Sequence, residues 1–182
     1  MSPLSPADRA RLLAIARGAI AGALEGRPPT QERFEGALAV PRAAFVTLRS
    51  REGDDLRGCI GRTEAREPLG TTVAYVAVQA ATRDTRFPPL TLEGLDKVWL
   101  EVSALTPPEP IAPGDVQVGV HGLIVRLGTF SGLLLPQVAV DYGWDRETFL
   151  AQTSRKAGLP LDAWQHPEAT LLCFTAEVFR EK

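Results

Sequence analysis

The sequence predicts an α+β fold, with a mostly antiparallel sheet and flanking helices. Segments with β-type hydrophobic patterns and segments with helical periodicity are mixed, but they do not alternate strictly as strand–helix–strand units. Two neighbouring β-type segments are joined by a short polar turn, which is typical of an antiparallel hairpin. The 182 residues, 45% hydrophobic and 23% charged, are also enough to bury a core without disulfides or metals.

The first half of the chain begins with a well-signalled helix and continues with a hairpin. Ser5 can cap the helix, Pro6 suits its first position, and Asp8 supplies a carboxylate in the first turn. Gly53 lies in the turn between two β-rich runs, and Pro68 can open a second helix. The predicted elements are a helix from residue 5 to near 26, a connection at 27–42, strands at 43–50 and 56–62, a helix from 68, an irregular segment at 84–90 and a strand at 97–105.

The second half is predicted to be richer in strands. Four prolines near residues 107–113 suggest a connection between two parts of the chain. Glycines separate three short β-type runs after it, and Asp145 can cap a helix that ends at Gly158 before Pro160. The predicted elements are strands at 116–120, 122–127 and 130–135, a helix at 146–157 and one final strand at 169–179.

Composition argues against several classes of protein. The longest uncharged run, residues 127–140, is too short to span a bilayer, and the N-terminus lacks a signal-peptide pattern, so a cytoplasmic protein is expected. Cys59 and Cys173 are expected to be free thiols, and with only two histidines no metal site and no cofactor are predicted. High proline content, a single methionine and the absence of asparagine resemble the composition of thermophile proteins.

The charge is uneven along the chain although the net charge is only −2. Residues 42–86 contain eight arginines among six acidic residues, which form either a solvated face or a patch that attracts an anion such as RNA or a nucleotide. A pI near 5.8 and the lack of interleaved aromatic residues make nucleic acid the least favoured ligand.

The segment Leu56-Arg57-Gly58-Cys59-Ile60-Gly61 is the strongest candidate for a functional site. If it is a strand, its side chains alternate between faces, so Leu56 and Ile60 turn into the core while Arg57, Cys59 and Gly61 turn away from it. A neighbouring guanidinium favours the thiolate, Gly61 leaves room for a ligand or another backbone, and Gly58 can mark a bulge. The alternative is that Cys59 is a packed core thiol, as cysteines frequently are.

Other residues are candidates for assisting Cys59. A cysteine nucleophile normally works with a base, and His121, beside Gly122 at the start of a predicted strand, can line a pocket. Asp84 and Arg86 lie in a rigid loop and offer a carboxylate and a guanidinium, although an ion-paired structural loop is the alternative. Cys173 lies in an apolar run and is expected in the core.

The hexapeptide resembles the signature of the AMMECR domain family, also called AmmeMemoRadiSam system protein A. The resemblance covers the chain from about Phe45 to the C-terminus, with one departure at Ser154, where relatives often have a cysteine. The further similar blocks, in order, are Ala80-Ala81 with Asp84-x-Arg86-Phe87-Pro88-Pro89-Leu90, Glu101-Val102-Ser103-x-Leu105 through Ile111, Gly119-x-His121-Gly122-Leu123-Ile124-Val125, Gly132 through Gln137-Val138, and Lys156-Ala157-Gly158-Leu159-Pro160.

The resemblance implies one domain with two subdomains, the smaller of them β-rich, and a cleft beside the signature. It implies the company of radical-SAM and Memo-like proteins, and it makes Arg57, Gly58, Gly61, Arg86 and Gln137 candidate binding residues, but it supplies no reaction. Three hypotheses follow: a thiol-dependent enzyme or carrier using Cys59 with help from His121 or Asp84, a non-catalytic partner-binding module, and an RNA or anion binder.

Overall fold

A computed structural model describes residues 3–29 and 32–182 of the chain. These residues divide into a first unit, 3–29, 32–105 and 177–182, and a second unit, 106–176. The helices are α1 (Pro6–Leu24), α2 (Leu69–Thr82), α3 (Leu92–Leu95), α4 (Pro136–Asp141) and α5 (Arg146–Lys156). The strands are β1 (Ala44–Ser50), β2 (Leu56–Arg62), β3 (Val98–Leu105), β4 (Glu109–Pro110), β5 (Gly122–Leu127), β6 (Phe130–Leu134), β7 (Thr170–Phe174) and β8 (Ala176–Arg180).

The first unit is a four-stranded sheet in the order β2-β1-β3-β8, with β1 antiparallel to both of its neighbours. Helices α1 and α2 pack together on one face of this sheet. Alternate residues of β1 and β3 enter the core, because successive side chains of a strand point to opposite faces. Fully buried members of this core include Leu12, Ile20, Val46, Val73, Leu100 and Val102.

A buried ion pair ties the C-terminal strand β8 into the first unit. The Arg42 side chain is only 2% exposed and donates hydrogen bonds to the carbonyls of Leu105 (3.0 Å) and Ala104 (3.1 Å). Its guanidinium also donates to Glu177 Oε1 at 3.1 Å. A buried charge needs such partners, since removing one of them leaves the other uncompensated.

The second unit is a four-stranded sheet in the order β4-β7-β5-β6, with α5 packed against β5 and β6. Asp145 caps α5 by accepting a hydrogen bond from Thr148 N at 2.8 Å, and Gly158 follows the helix with a φ of +77°. Phe149 and Leu150 turn from α5 into the core of this unit. Both units therefore match the predicted α+β class.

The structure differs from the sequence-based prediction at two strands. Residues 116–120 form no strand, because Gly119 has a φ of +82° and the backbone N–H groups of Val120 and His121 both bond to the carbonyl of Gln117, which closes a turn. The predicted single strand at 169–179 is two strands, β7 and β8, which belong to different sheets. The prediction also assigned no element to α3, α4 or β4.

None of the described helices combines the length and the apolar composition that crossing a bilayer requires.

Candidate functional site

Cys59 lies on the end strand of the first sheet, on the face opposite the hydrophobic core. In the β1–β2 pairing, Val46 faces Ile60 and Thr47 faces Cys59. Val46 is fully buried and Ile60 packs against the same core. Their neighbours along each strand, Thr47 and Cys59, therefore lie on the other face of the sheet. Cys59 is half-buried there.

The pairing of β2 contains a β-bulge next to the cysteine. Leu48 of β1 pairs with Gly58, and the next residue, Arg49, pairs with Leu56. Arg57 is therefore left without a partner in β1. The expected alternation, with Leu56 on the side of Ile60 and Arg57 on the side of Cys59, is therefore interrupted at the bulge. We find no hydrogen bond or ion pair of the Arg57 side chain within residues 3–29 and 32–182.

Gly58 allows the end of α2 to approach the strand. A Cβ at this position would overlap the carbonyl oxygen of Ala80, and the backbone of α2 cannot yield as a flexible side chain could. Helix α2 ends at Thr82, two residues before Asp84. The close approach at Gly58 therefore brings the segment after α2 against the backbone of Cys59.

Asp84 and Arg86 bind the outer edge of β2 at Cys59. Asp84 Oδ2 accepts a hydrogen bond from Cys59 N at 2.9 Å, and Arg86 Nη2 donates to Cys59 O at 3.3 Å. The N–H and C=O groups of Cys59 point away from β1, towards the open edge of the sheet. The two side chains form hydrogen bonds with these groups, as the backbone of a neighbouring strand would. We call this pair of residues the clamp.

The clamp is held together by an ion pair. Arg86 Nε donates to Asp84 Oδ1 at 2.9 Å and Arg86 Nη2 donates to Asp84 Oδ2 at 2.7 Å, while the Asp84 side chain is 6% exposed. The hydrogen bonds from Arg86 hold the pKa of the Asp84 carboxyl well below its usual range, and the same contact raises the pKa of Arg86. The carboxylate of Asp84 is thus held in place against the backbone of Cys59, and its part in proton transfer stays a prediction.

The sulfur of Cys59 has a hydroxyl neighbour. Thr47 Oγ1 lies 3.3 Å from Cys59 Sγ, in hydrogen-bonding geometry with the hydroxyl as the donor. The sequence analysis did not identify Thr47. Only the register of the β1–β2 hairpin, which pairs Thr47 with Cys59, would have identified it.

Gly61 serves packing in the first unit. A Cβ on Gly61 would overlap the ring of Phe45 and lie 2.7 Å from the carbonyl oxygen of Ala44. The space that was expected for a ligand or another backbone is therefore filled largely by an aromatic ring. A depression of about 510 Å³ begins beside Gly61 and is lined mostly by the polar residues 62–67.

The remaining predicted residues belong to the second unit. His121 Nδ1 accepts a hydrogen bond from Gln117 N at 3.1 Å, which leaves Nε2 as the nitrogen with a proton to donate. Gln137 lies on α4, and its Oε1 is buried without a hydrogen-bond partner among the described residues. Cys173 is 6% exposed in the core of this unit, and its burial raises the pKa of its thiol.

Half of the eight arginines at 42–86 are neutralised by carboxylates. Arg42 pairs with Glu177 in the core, and Arg86 pairs with Asp84 in the clamp. Two further pairs are Arg62 with Glu67 and Arg66 with Glu64. The arginine-rich segment therefore presents much less free positive charge than its sequence suggests.

Within residues 3–29 and 32–182, no three His, Cys, Asp or Glu side chains come together in a group that could hold a metal ion.

Comparison with known proteins relates the chain to archaeal relatives. The AMMECR1 family profile matches residues 13–179. A protein of Methanothermobacter thermautotrophicus is 44% identical over 189 aligned positions, covering 99% of this chain and 97% of the relative, and one of Thermococcus gammatolerans is 50% identical over 76% of this chain and 72% of its own length. The crystal structure of the uncharacterized protein PH0010 from Pyrococcus horikoshii superimposes with a TM-score of 0.85 at 42% identity, covering 94% of this chain and 90% of that one.

Proposed function

The chain belongs to the AMMECR1 family, and we propose that it is a thiol-dependent enzyme or covalent carrier in which Cys59 is the reacting group. One observation carries the proposal: the clamp holds the backbone of Cys59, while its sulfur lies outside the core beside the hydroxyl of Thr47. A packed structural thiol has no need of either arrangement. The contrast with Cys173, which lies in a core, supports this interpretation.

The proposed step is nucleophilic substitution at an electrophilic carbon. The Cys59 thiolate attacks that carbon and a carbon–sulfur bond forms, while the bond to the leaving group breaks and its electron pair departs with it. The thiol proton goes to solvent or to a base beforehand. Thr47 donates a hydrogen bond to the anionic sulfur before the attack, and the clamp keeps the cysteine from moving away from its partner.

Arg57 keeps an assisting role in the proposal. It follows Leu56 at the bulge, and its charge would stabilise the negative charge that the leaving group gains. The variant Arg57→Gln tests this role separately from the role of Cys59 itself. His121 belongs to the second unit, and its help to Cys59 stays a prediction of the sequence.

Alkylation of the folded protein by iodoacetamide at pH 7 tests the proposal. Mass spectrometry of the two cysteine peptides gives both rates in one sample, so that Cys173 is the internal control. We expect Cys59 to be alkylated at least about a hundred-fold faster than Cys173, because thiolate character and access control the rate. Thr47→Val should slow Cys59 about two- to five-fold, which corresponds to one hydrogen bond, and Thr47→Ser should not.

Alkylation of Cys59 at the rate of Cys173, in protein whose circular dichroism is that of the folded state, would contradict the proposal. That result would favour the alternative in which the chain is a partner-binding module associated with radical-SAM or Memo-like proteins.

A further inference from the structure

Glu101 completes a row of polar side chains across the face that presents Cys59. Thr47, in the central strand β1, pairs with Cys59 on one side and with Glu101 of β3 on the other. Directly paired residues share a face of the sheet, so the thiol, the hydroxyl and the carboxylate lie side by side. Strands β2 and β3 are about 10 Å apart, since each inter-strand step is about 4.8 Å.

Glu101 is half-buried, yet its carboxylate has no hydrogen bond or ion pair within the described residues. Five other acidic side chains of the first unit are half-buried, and each of them has a partner. Those pairs are Asp8 with Ser5, Glu67 with Arg62, Asp84 with Arg86, Glu177 with Arg42, and Glu181 with Arg17. Partial burial of a charge without a partner is unfavourable, so Glu101 is the exception that needs an explanation.

The cations near the row do not neutralise Glu101. Arg49, two residues from Thr47 on the same face of β1, donates instead to the carbonyl of Asp54 at 2.9 Å. The charge of Arg86 is offset by Asp84, and Arg51 stacks on the ring of Trp99 at 3.9 Å. Arg57, at the bulge, forms no ion pair with Glu101. Arg49, Arg51 and Arg57 keep their positive charges, but none of them pairs with Glu101, so the charge within the row itself is the carboxylate.

We propose that Glu101 is a specificity residue of the Cys59 site and that the substrate carries a cationic nitrogen group near its electrophilic carbon. The carboxylate binds that group on β3 while the carbon reaches the sulfur on β2. The inference rests on the proposed function, because it concerns the substrate of the same thiol. It explains why a half-buried carboxylate lies in the row without a protein partner.

Charged thiol reagents test the inference without knowledge of the natural substrate. Methanethiosulfonates with a trimethylammonium, a sulfonate or a neutral methyl group react in the same way: the thiolate attacks sulfur, a disulfide forms and methanesulfinate leaves. We expect wild-type Cys59 to react faster with the cationic reagent than with the anionic one. In Glu101→Gln the ratio of those rates should fall about five-fold, as expected for removing one charge some 8 Å away in a water-like dielectric.

Dividing each rate by that of the neutral reagent removes any general effect on the thiol. Glu93→Gln, an exposed glutamate of α3, is the matched control and should leave the ratio unchanged. In wild type, the ratio of the cationic to the anionic rate should approach one in about 1 M salt, because salt screens the charge of Glu101. This measurement needs no substitution, so it tests the proposal even if Glu101→Gln does not fold.

The two proposals fail in different ways. A wild-type Cys59 that is inert to the neutral reagent contradicts the proposed function. A reactive Cys59 whose charge ratio is the same in wild type, in Glu101→Gln and at high salt overturns the role of Glu101 and leaves the thiol chemistry intact.

Discussion

Replacing Asp84 by Asn should weaken the first unit and release the backbone of Cys59. Asp84 accepts hydrogen bonds from Cys59 N at 2.9 Å and from Arg86 at 2.7 and 2.9 Å, and its side chain is 6% exposed. A neutral amide oxygen in the place of Oδ2 can still accept from Cys59 N and Arg86 Nη2, but more weakly, and the NH₂ group then faces the Nε–H donor of Arg86. Hydrogen bonds to charged groups contribute about 1.5–3 kcal/mol, and Arg86 is half exposed to water, so we expect a loss of about 2–3 kcal/mol.

The effect of this substitution should depend on pH. The pKa of Asp84 is lowered in the folded protein, chiefly by the side chain of Arg86, from an unfolded value of about 3.9. A depressed carboxyl pKa stabilises the folded state above the unfolded value, and that stabilisation is lost as the pH falls towards the folded value. The difference in stability between wild type and Asp84→Asn should therefore be constant from pH 7 to about 5 and shrink below pH 4.

Urea unfolding of both proteins across this pH range measures the difference. At pH 7, a loss of about 2–3 kcal/mol with a slope of about 2 kcal/mol per molar urea lowers the midpoint by about 1–1.5 M. Hydrogen exchange at the amide of Cys59 should also become faster, since that N–H loses its charged acceptor. Asp115→Asn, an exposed carboxylate of the second unit, is the control. Equal midpoints at pH 7, or a difference that does not change with pH, would refute the account of the clamp.

Three further predictions concern close packing, a buried ion pair and a buried thiol. Gly58→Ala should destabilise the protein by about 1–3 kcal/mol in urea unfolding, because the new Cβ overlaps the carbonyl of Ala80, whereas Gly18→Ala on α1, with open space around its Cβ position, should not destabilise it. Glu177→Gln should cost about 3 kcal/mol in the same assay because it leaves the buried Arg42 without its counter-charge, and a loss under 1 kcal/mol would contradict the role of this pair. Cys173 should resist alkylation until the protein unfolds, so that its rate in urea follows the unfolding curve; early labelling would count against its burial.

Much of the first unit could be predicted from local signals. The cap at Ser5, the β-rich run before the turn at Gly53 and the alternation along β3 each depend on residues that are neighbours in sequence. The alternation within residues 56–61 likewise predicted that Cys59 lies in a strand and turns away from the core. The prediction of a strand at 116–120 was wrong because Gly119 adopts a positive φ. Glycine adopts positive and negative φ values about equally well, so the sequence does not indicate which one occurs.

The partners of Cys59 could not be predicted, because they depend on register and on long-range packing. A hairpin that pairs Arg49 with Leu56 would, without a bulge, place Thr47 opposite Gly58. Skipping one residue moves Thr47 opposite Cys59 instead. The sequence indicated a bulge at Gly58, and the structure has one there, but the residue that the bulge places opposite Cys59 could not be predicted.

Asp84 and Arg86 were candidates from the sequence, but their contacts with Cys59 and the polar row could not be predicted, for the same reason. Asp84 is 25 residues from Cys59 and reaches it through the approach of α2 at Gly58. Glu101 meets Thr47 only because β3 pairs with β1. Sequence reasoning therefore found the thiol and its loop but not the hydroxyl and carboxylate that complete the arrangement.

Reaction with p-nitrophenyl acetate tests the central claim most directly, because it asks whether Cys59 acts as a nucleophile toward carbon. Attack by the thiolate on the ester carbonyl forms a thioester and releases p-nitrophenolate, so a reacting cysteine gives a burst of colour. We predict a burst of about one p-nitrophenolate per chain, acetylation mapped to Cys59, and no burst in Cys59→Ser. A folded wild-type protein that gives no burst, or that is acetylated equally in Cys59→Ser, would contradict the account.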